Sequence, residues 1–195
     1  MTATEDPLAR FAEVFARAAA NAPFDHTAAT LGTATPTGSP SLRTVLVRGV
    51  DAAGFSFFTN YESRKGRELE VNPAAALCFY WPWIDEQVLV EGRVTPLGPE
   101  ESDAYFAGRP RGSQLGAWAS QQSRPLGSRG ELESRWRETE RRFAGRDVPR
   151  PPYWGGFRLT PSRMEFWTAG EYRLHDRELY SRSAGGRWSV TRLYP

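Results

Sequence analysis

The chain has 195 residues, 39% of them hydrophobic, enough to bury the core of one domain. Lysine and arginine total 25 against 23 aspartates and glutamates, a near balance that excludes a general nucleic-acid footprint and confines any anion site to a local cluster. The single cysteine, Cys78, excludes an internal disulfide, and with only His26 and His175 no multi-histidine or multi-cysteine metal centre is expected. The start of the chain lacks the regions of a secretory signal, and no apolar run approaches the roughly 20 residues of a membrane span. A soluble, cytoplasmic protein without membrane contact is expected. The 13% aromatic share, with seven tryptophans, suits flat surfaces for a planar ligand and a filled β core equally well.

Asp6-Pro7 starts a helix, with a capping carboxylate before a proline, and Leu8, Phe11, Ala12 and Phe15 form its apolar stripe. Strands follow at 28–35, 42–50 and 55–59, separated by the turns at 36–40 and 51–54. Short strands joined by tight turns, without helices between them, predict an antiparallel meander closing into a barrel. Ser63 can cap a helix whose first residues are Arg64 and Lys65 and which Asn72-Pro73 ends. Cations in a first helical turn oppose the helix dipole, so the arrangement points to an anion held there, a phosphate above all.

Residues 74–80 form a strand expected to be buried on both faces, and 86–95 a further strand. Gln87 on the latter is either a hydrogen-bonding group for a heterocycle or an exposed polar residue. Residues 98–143 are mainly helical. Tyr105, Arg109 and Ser113 recur every four residues, but Gly108 and Pro110 argue that the helix breaks and that a loop holds them. A phenol, a guanidinium and a hydroxyl in one short segment suit a phosphate monoester, and a polar loop with an incidental arginine fits as well. Ser128 opens a charged helix to Phe143, read as a solvated face. Strands return at 154–160, 163–167, 177–183 and 187–194. Alternation across 173–177 predicts Arg173, His175 and Arg177 on one face of an extended backbone, as a charged hairpin edge or as a site.

In this order the motifs Ser63-Arg64-Lys65, Arg109-Pro110, Gln122-Ser123, Trp154-Gly155-Gly156, Glu165-Phe166-Trp167 and Arg173-Leu174-His175-Asp176-Arg177 resemble the pyridoxine/pyridoxamine 5′-phosphate oxidase family. The resemblance runs from residue 6 to 195. It implies a mainly β, helix-flanked, FMN-binding split β-barrel; with no second-domain boundary in the sequence, one domain over 1–195 is expected, with residues 1–5 disordered. It also implies a homodimer with FMN at the subunit interface. By the resemblance, Arg43, Thr44, Val45, Leu46, Phe58, Thr59, Arg64, Lys65, Gln87, Gln122, Ser123, Trp167 and Arg177 contact FMN, with Arg64 and Lys65 on its phosphate. Arg48, Tyr105, Arg109 and Ser113 hold the substrate phosphate, and Arg173 and His175 face the substrate's pyridine ring and reacting carbon as the catalytic pair. The implied activity oxidises pyridoxine or pyridoxamine 5′-phosphate to pyridoxal 5′-phosphate while O2 becomes H2O2.

Two positions depart from the family pattern. Arg48 stands where the family has a lysine, keeping the charge but changing shape and reach. The segment 23–29 before the first strand also differs. An FMN oxidase of secondary metabolism, of the phenazine-pathway type, and a non-catalytic flavin- or haem-binding split barrel are the alternative readings, because fold alone does not fix activity.

Overall fold

The computed structural model describes residues 6–195; the expected disorder of 1–5 lies outside the described residues. Helix α1 (Pro7–Ala20) starts where the sequence predicts, the Asp6 carboxylate accepting from the Leu8 N–H at 3.0 Å. Strands β1 (Ala28–Ala34), β2 (Pro40–Asp51) and β3 (Gly54–Asn60) make one antiparallel meander. After α2 (Arg64–Val71), β4 (Ala74–Trp81) and β5 (Glu86–Pro96) begin a second, which β6 (Trp154–Thr168), β7 (Asp176–Arg182) and β8 (Trp188–Arg192) continue. β1 pairs with β4 and β3 with β6, so β1 to β6 close into an antiparallel barrel and β7 and β8 extend the sheet beyond it. The fold is the predicted mainly β, helix-flanked split barrel.

Alternation fills the barrel. Leu31, Val47, Phe57, Phe79, Val90 and Leu159 point inward and are buried. Helix α1 covers the core with Phe11, whose ring meets Phe55 edge-on at 4.8 Å and Phe79 at 5.0 Å. Removing such a ring typically costs about 3–5 kcal/mol. Arg10 on the same helix pairs with Glu178, donates to the Tyr180 hydroxyl at 3.0 Å and lies 4.3 Å over Phe166, tying α1 to β7.

Two strand expectations are corrected. The two strands at 154–160 and 163–167 are one strand, β6, with Ser162 as an extra residue at a bulge opposite Glu91 and Gly92. Pro161 is tolerated beside that bulge. The bend lets the first half of β6 pair with β3 and the second half with β7. β4 is buried on one face only: Leu77, Phe79 and Trp81 point into the barrel while Ala76 and Tyr80 are exposed.

The helical segment divides into α3 (Pro99–Ala107), α4 (Arg111–Ala119) and α5 (Arg129–Arg142), broken at Gly108–Pro110 as the sequence indicates. The Gln114 amide donates to the Phe106 and Ala107 carbonyls at 2.9 and 3.2 Å, closing the end of α3. Phe106, Leu115, Phe143, Val148 and Trp154 form a second core against the start of β6. Among the described residues no helix is long and apolar enough to cross a membrane.

Candidate functional site

Helix α2 leaves the end of β3 through a tight turn. The Ser63 hydroxyl accepts from the Gly66 N–H at 3.3 Å, leaving the N–H groups of the first two helical residues without an intrahelical acceptor. A Cβ at Gly66 would lie 2.0 Å from the Tyr61 carbonyl oxygen, so only glycine lets the turn pack this closely. The two cations at the helix start have different fates. Arg64 Nε donates to Glu68 Oε1 at 2.9 Å, one helical turn on. Lys65 is 7% exposed; its ammonium donates to Thr59 Oγ1 at 3.1 Å and forms no ion pair among the described residues. Burial, and then the nearby Arg43 charge, push Lys65 down to about 8.

Behind this turn lies a buried polar network. Glu68 Oε2 accepts from Thr33, Ser41 and Arg43, and Arg43 also donates to the Leu31 carbonyl at 3.2 Å. Burial alone would raise the Glu68 carboxyl; the hydrogen bonds from Ser41, Thr33 and Arg64 outweigh it and hold the group at about 2.

A cavity of about 700 Å³ opens beside Lys65. Of the expected cofactor residues it is lined by Thr44, Val45, Leu46, Phe58, Thr59, Lys65 and Gln122, and of the expected substrate residues by Arg48, Tyr105, Arg109 and Ser113. The expectation that a loop holds the last three is corrected: Tyr105 lies on α3 and Ser113 in the first turn of α4, with only Arg109 in the break between them, which brings the three together. Tyr105 stacks on Phe58 at 3.7 Å with 9° between the planes, and Trp154 lies beside the pair with its plane nearly parallel, 5.8 and 6.2 Å from the two rings. The Arg109 guanidinium lies 4.5 Å over Trp154, and its Nη1 is sealed from solvent without a hydrogen-bond partner. Burial lowers its pKa below the ordinary arginine value. Side chains at Gly155 and Gly156 would strike the Tyr61 hydroxyl at 2.1 Å and the Leu97 methyl at 2.5 Å, which explains Gly-Gly after Trp154. Arg48 is the extra residue of a bulge between Val47 and Gly49, and bonds Thr27 Oγ1 at 3.3 Å and Asp25 Oδ2 at 3.5 Å. The two departures from the family pattern therefore touch each other.

The remaining expected residues lie elsewhere. Arg43 and Arg64 are held by Glu68, and Ser123, exposed with a left-handed φ of 69°, follows Gln122. Gln87, Trp167 and Arg177 sit side by side across β5, β6 and β7. Arg177 grips both oxygens of Glu165, at 2.8 and 3.1 Å. The predicted extended run through 173–177 is corrected: residues Glu171–Arg173 form a 3₁₀ turn, with Tyr172 and Arg173 both left-handed, and β7 begins only at Asp176. Each left-handed non-glycine residue costs about 1–2 kcal/mol, a strain stored in this turn. Arg173 is exposed, whereas the His175 ring lies 4.7 Å from Trp167 and its Nδ1 accepts from the Gly170 N–H at 3.2 Å. One chain thus carries two separate clusters, one around Lys65 and Arg109 and one around Trp167 and His175.

A larger cleft of about 1110 Å³ holds none of the expected residues, and its Arg124 and Arg150 are already paired with Glu62 and Asp103. The smaller cavity, with the buried Lys65 ammonium and the unpartnered Nη1 of Arg109, is the chemically committed one. Two contributors went unrecognised in the sequence. Glu68 was signalled only by its i,i+4 spacing from Arg64, and the part of Trp154 in carrying Arg109 had no local signal.

Residues 16–143 match the family model described as pyridoxamine 5′-phosphate oxidase, and residues 154–195 match the pyridoxine 5′-phosphate oxidase C-terminal dimerisation region. A pyridoxine/pyridoxamine 5′-phosphate oxidase from Anaeromyxobacter dehalogenans is 58% identical over all of this chain and 98% of its own. Another from Rubrobacter xylanophilus is 56% identical over 99% of this chain and 88% of its own. Among solved structures, PhzG from Burkholderia lata, in complex with tetrahydrophenazine-1-carboxylic acid, superposes with a TM-score of 0.93 at 34% identity, covering 98% of this chain and 94% of that one. The motifs, the closed split barrel and these matches agree: the chain belongs to the pyridoxine/pyridoxamine 5′-phosphate oxidase family.

Proposed function

We propose that the protein is an FMN-dependent oxidase that converts pyridoxine or pyridoxamine 5′-phosphate to pyridoxal 5′-phosphate, with O2 reduced to H2O2. The observation that carries this reading is the charge of the cavity. Arg48, Lys65 and Arg109 line it and, among the described residues, no carboxylate does. Lys65 is buried without an ionic partner among the described residues, and half-buried Arg109 has its Nη1 sealed off without a hydrogen-bond partner, a costly arrangement unless an anion neutralises them. Two phosphates, one on the flavin and one on the substrate, meet that demand.

Lys65, with Arg64 and the first turn of α2, would hold the FMN phosphate. Bound FMN would supply the hydride-accepting chemistry and reoxidation by O2. Arg109, Tyr105, Ser113 and Arg48 would grip the substrate phosphate and use that binding energy to align the distant reacting carbon. Phe58 packs face to face with Tyr105, and Trp154 beside them carries Arg109, so both of these phosphate donors are set before substrate arrives. Because His175 Nδ1 is an acceptor, a neutral ring carries its proton on Nε2, which is then the donor offered to the substrate. Arg173, on the strained turn, would cover the pyridine ring.

The two clusters within one chain support a homodimer, in which a two-fold axis would combine the Lys65–Arg109 cavity of one protomer with the Trp167–His175 cluster of the other. The C-terminal match is to a dimerisation region, which agrees with this. A phenazine-type reading draws on the likeness to PhzG. The carboxylate named in that complex calls for fewer donors than the phosphate cluster provides, so the vitamin phosphate fits better. Purified protein supplied with FMN and either vitamer phosphate should form pyridoxal 5′-phosphate and H2O2 in equal amounts. Formation of neither product would overturn the proposal.

A further inference from the structure

Glu68 poses a question that the proposed reading leaves open: why a carboxylate is buried beside cations meant for a phosphate. By charge alone it would repel a dianion. Its hydrogen bonds suggest another role. Oε1 takes Arg64 Nε at 2.9 Å, and Oε2 takes Arg43 Nη2 at 3.3 Å together with the hydroxyls of Thr33 and Ser41. Both oxygens are thus committed to the chain itself. Arg64 Nη1 and Nη2, by contrast, have no partner among the described residues. Lys65, next in sequence, pairs with no carboxylate.

Resting on the assignment of the flavin phosphate to the start of α2, we infer that Glu68 is a positioning residue for that phosphate, holding Arg43 and Arg64 in place beside Lys65 without touching the ligand. The group then presents three cations against one carboxylate, a net charge of two, equal and opposite to a phosphate dianion. Glutamine would fill the same space but could not replace Glu68. Its amide has one accepting oxygen, and its NH2 would face either the Arg64 guanidinium or the Thr33 and Ser41 hydroxyls. Arg64, 58% exposed along its side chain, would lose the contact that fixes its rotamer. The carboxylate stays ionised well below neutrality, so the clamp is present throughout the range in which the enzyme would work.

Positioning and bulk charge predict opposite signs, which makes the inference testable on flavin-free protein titrated with FMN and with riboflavin, followed by flavin fluorescence. Positioning predicts that Glu68→Gln weakens FMN binding by about tenfold or more and leaves riboflavin, which has no phosphate, within about twofold. Tighter or unchanged FMN binding would overturn the inference, as would equal losses for both flavins, the mark of a merely structural role. If Glu68→Gln does not fold, Ser41→Ala removes one donor from the same oxygen and should give a smaller loss confined to FMN; no FMN-selective loss would overturn the inference. Lys65→Ala separates the two levels of the argument. Unchanged FMN affinity in that variant would sink the phosphate assignment itself, whereas an FMN loss there with none in Glu68→Gln would sink only the role of Glu68.

Discussion

Arg109→Ala removes a guanidinium whose Nη1 is buried and unpaired over Trp154. If that nitrogen completes its bonding on the substrate phosphate, the loss is one or more hydrogen bonds between charged partners, each about 1.5–3 kcal/mol. That corresponds to a fall in kcat/KM of about 10- to 150-fold, carried mainly by KM because the phosphate is bound throughout the reaction. The fold should barely notice. Losing the cation–π contact costs about 0.5–2 kcal/mol, offset by removing a partly buried charge whose Nη1 has no partner. Steady-state formation of pyridoxal 5′-phosphate from pyridoxine 5′-phosphate, and of pyridoxal from unphosphorylated pyridoxine, alongside flavin absorbance, separates the possibilities. The account expects a loss confined to the phosphorylated substrate with flavin content intact. Equal loss on both substrates, or release of flavin, would refute the assignment of Arg109 to the substrate phosphate.

Three further outcomes follow from the same geometry. Lys65 in the flavin-free protein titrates near 8, below its ordinary 10.5. The unfolded chain therefore keeps that proton longer, so flavin-free stability should rise from about pH 8 to pH 10.5, while FMN affinity falls as the ammonium is lost. Lys65→Met should remove both dependences, and unfolding curves and FMN titrations across that range check it. Gly66→Ala places a Cβ 2.0 Å from the Tyr61 carbonyl oxygen, and overpacking of this kind costs about 1–3 kcal/mol. Lower thermal stability together with reduced flavin content is expected, and wild-type behaviour in both would contradict the packing argument. Arg48→Lys exchanges one cation for another at a partly exposed bulge whose bonds to Asp25 and Thr27 are long. A change in kcat/KM below about fivefold is expected, in line with the small worth of exposed pairs. A much larger loss would mean that the guanidinium shape, not its charge, is used.

Local chemistry made much of this fold legible. Ser63 caps α2, Asp6-Pro7 starts α1, and Gly108 and Pro110 break the helix so that Tyr105, Arg109 and Ser113 meet in one cavity. What stayed hidden depends on contacts distant in sequence. The run from Arg173 to Arg177 reads as alternating, but Tyr172 and Arg173 turn left-handed and spoil the period before β7 begins. Pro161 looks like a strand end, yet the bulge beside it carries β6 through. The cations at the start of α2 stand out in the sequence because they oppose the helix dipole. One of them is answered within the chain by Glu68 and the other is not. That distinction appears only when Thr33, Ser41 and Arg43 arrive from β1 and β2. The second cluster, around Trp167 and His175, remains apart from the first because a single chain does not bring them together.

The central claim is that this cavity sets a vitamin phosphate against a bound flavin for oxidation. Its most direct test is the visible spectrum of the FMN-loaded protein mixed anaerobically with pyridoxine 5′-phosphate, then with pyridoxamine 5′-phosphate. The account predicts that the yellow flavin band bleaches on mixing and returns when O2 is admitted. A flavin band that keeps its full intensity with both vitamer phosphates would contradict the account.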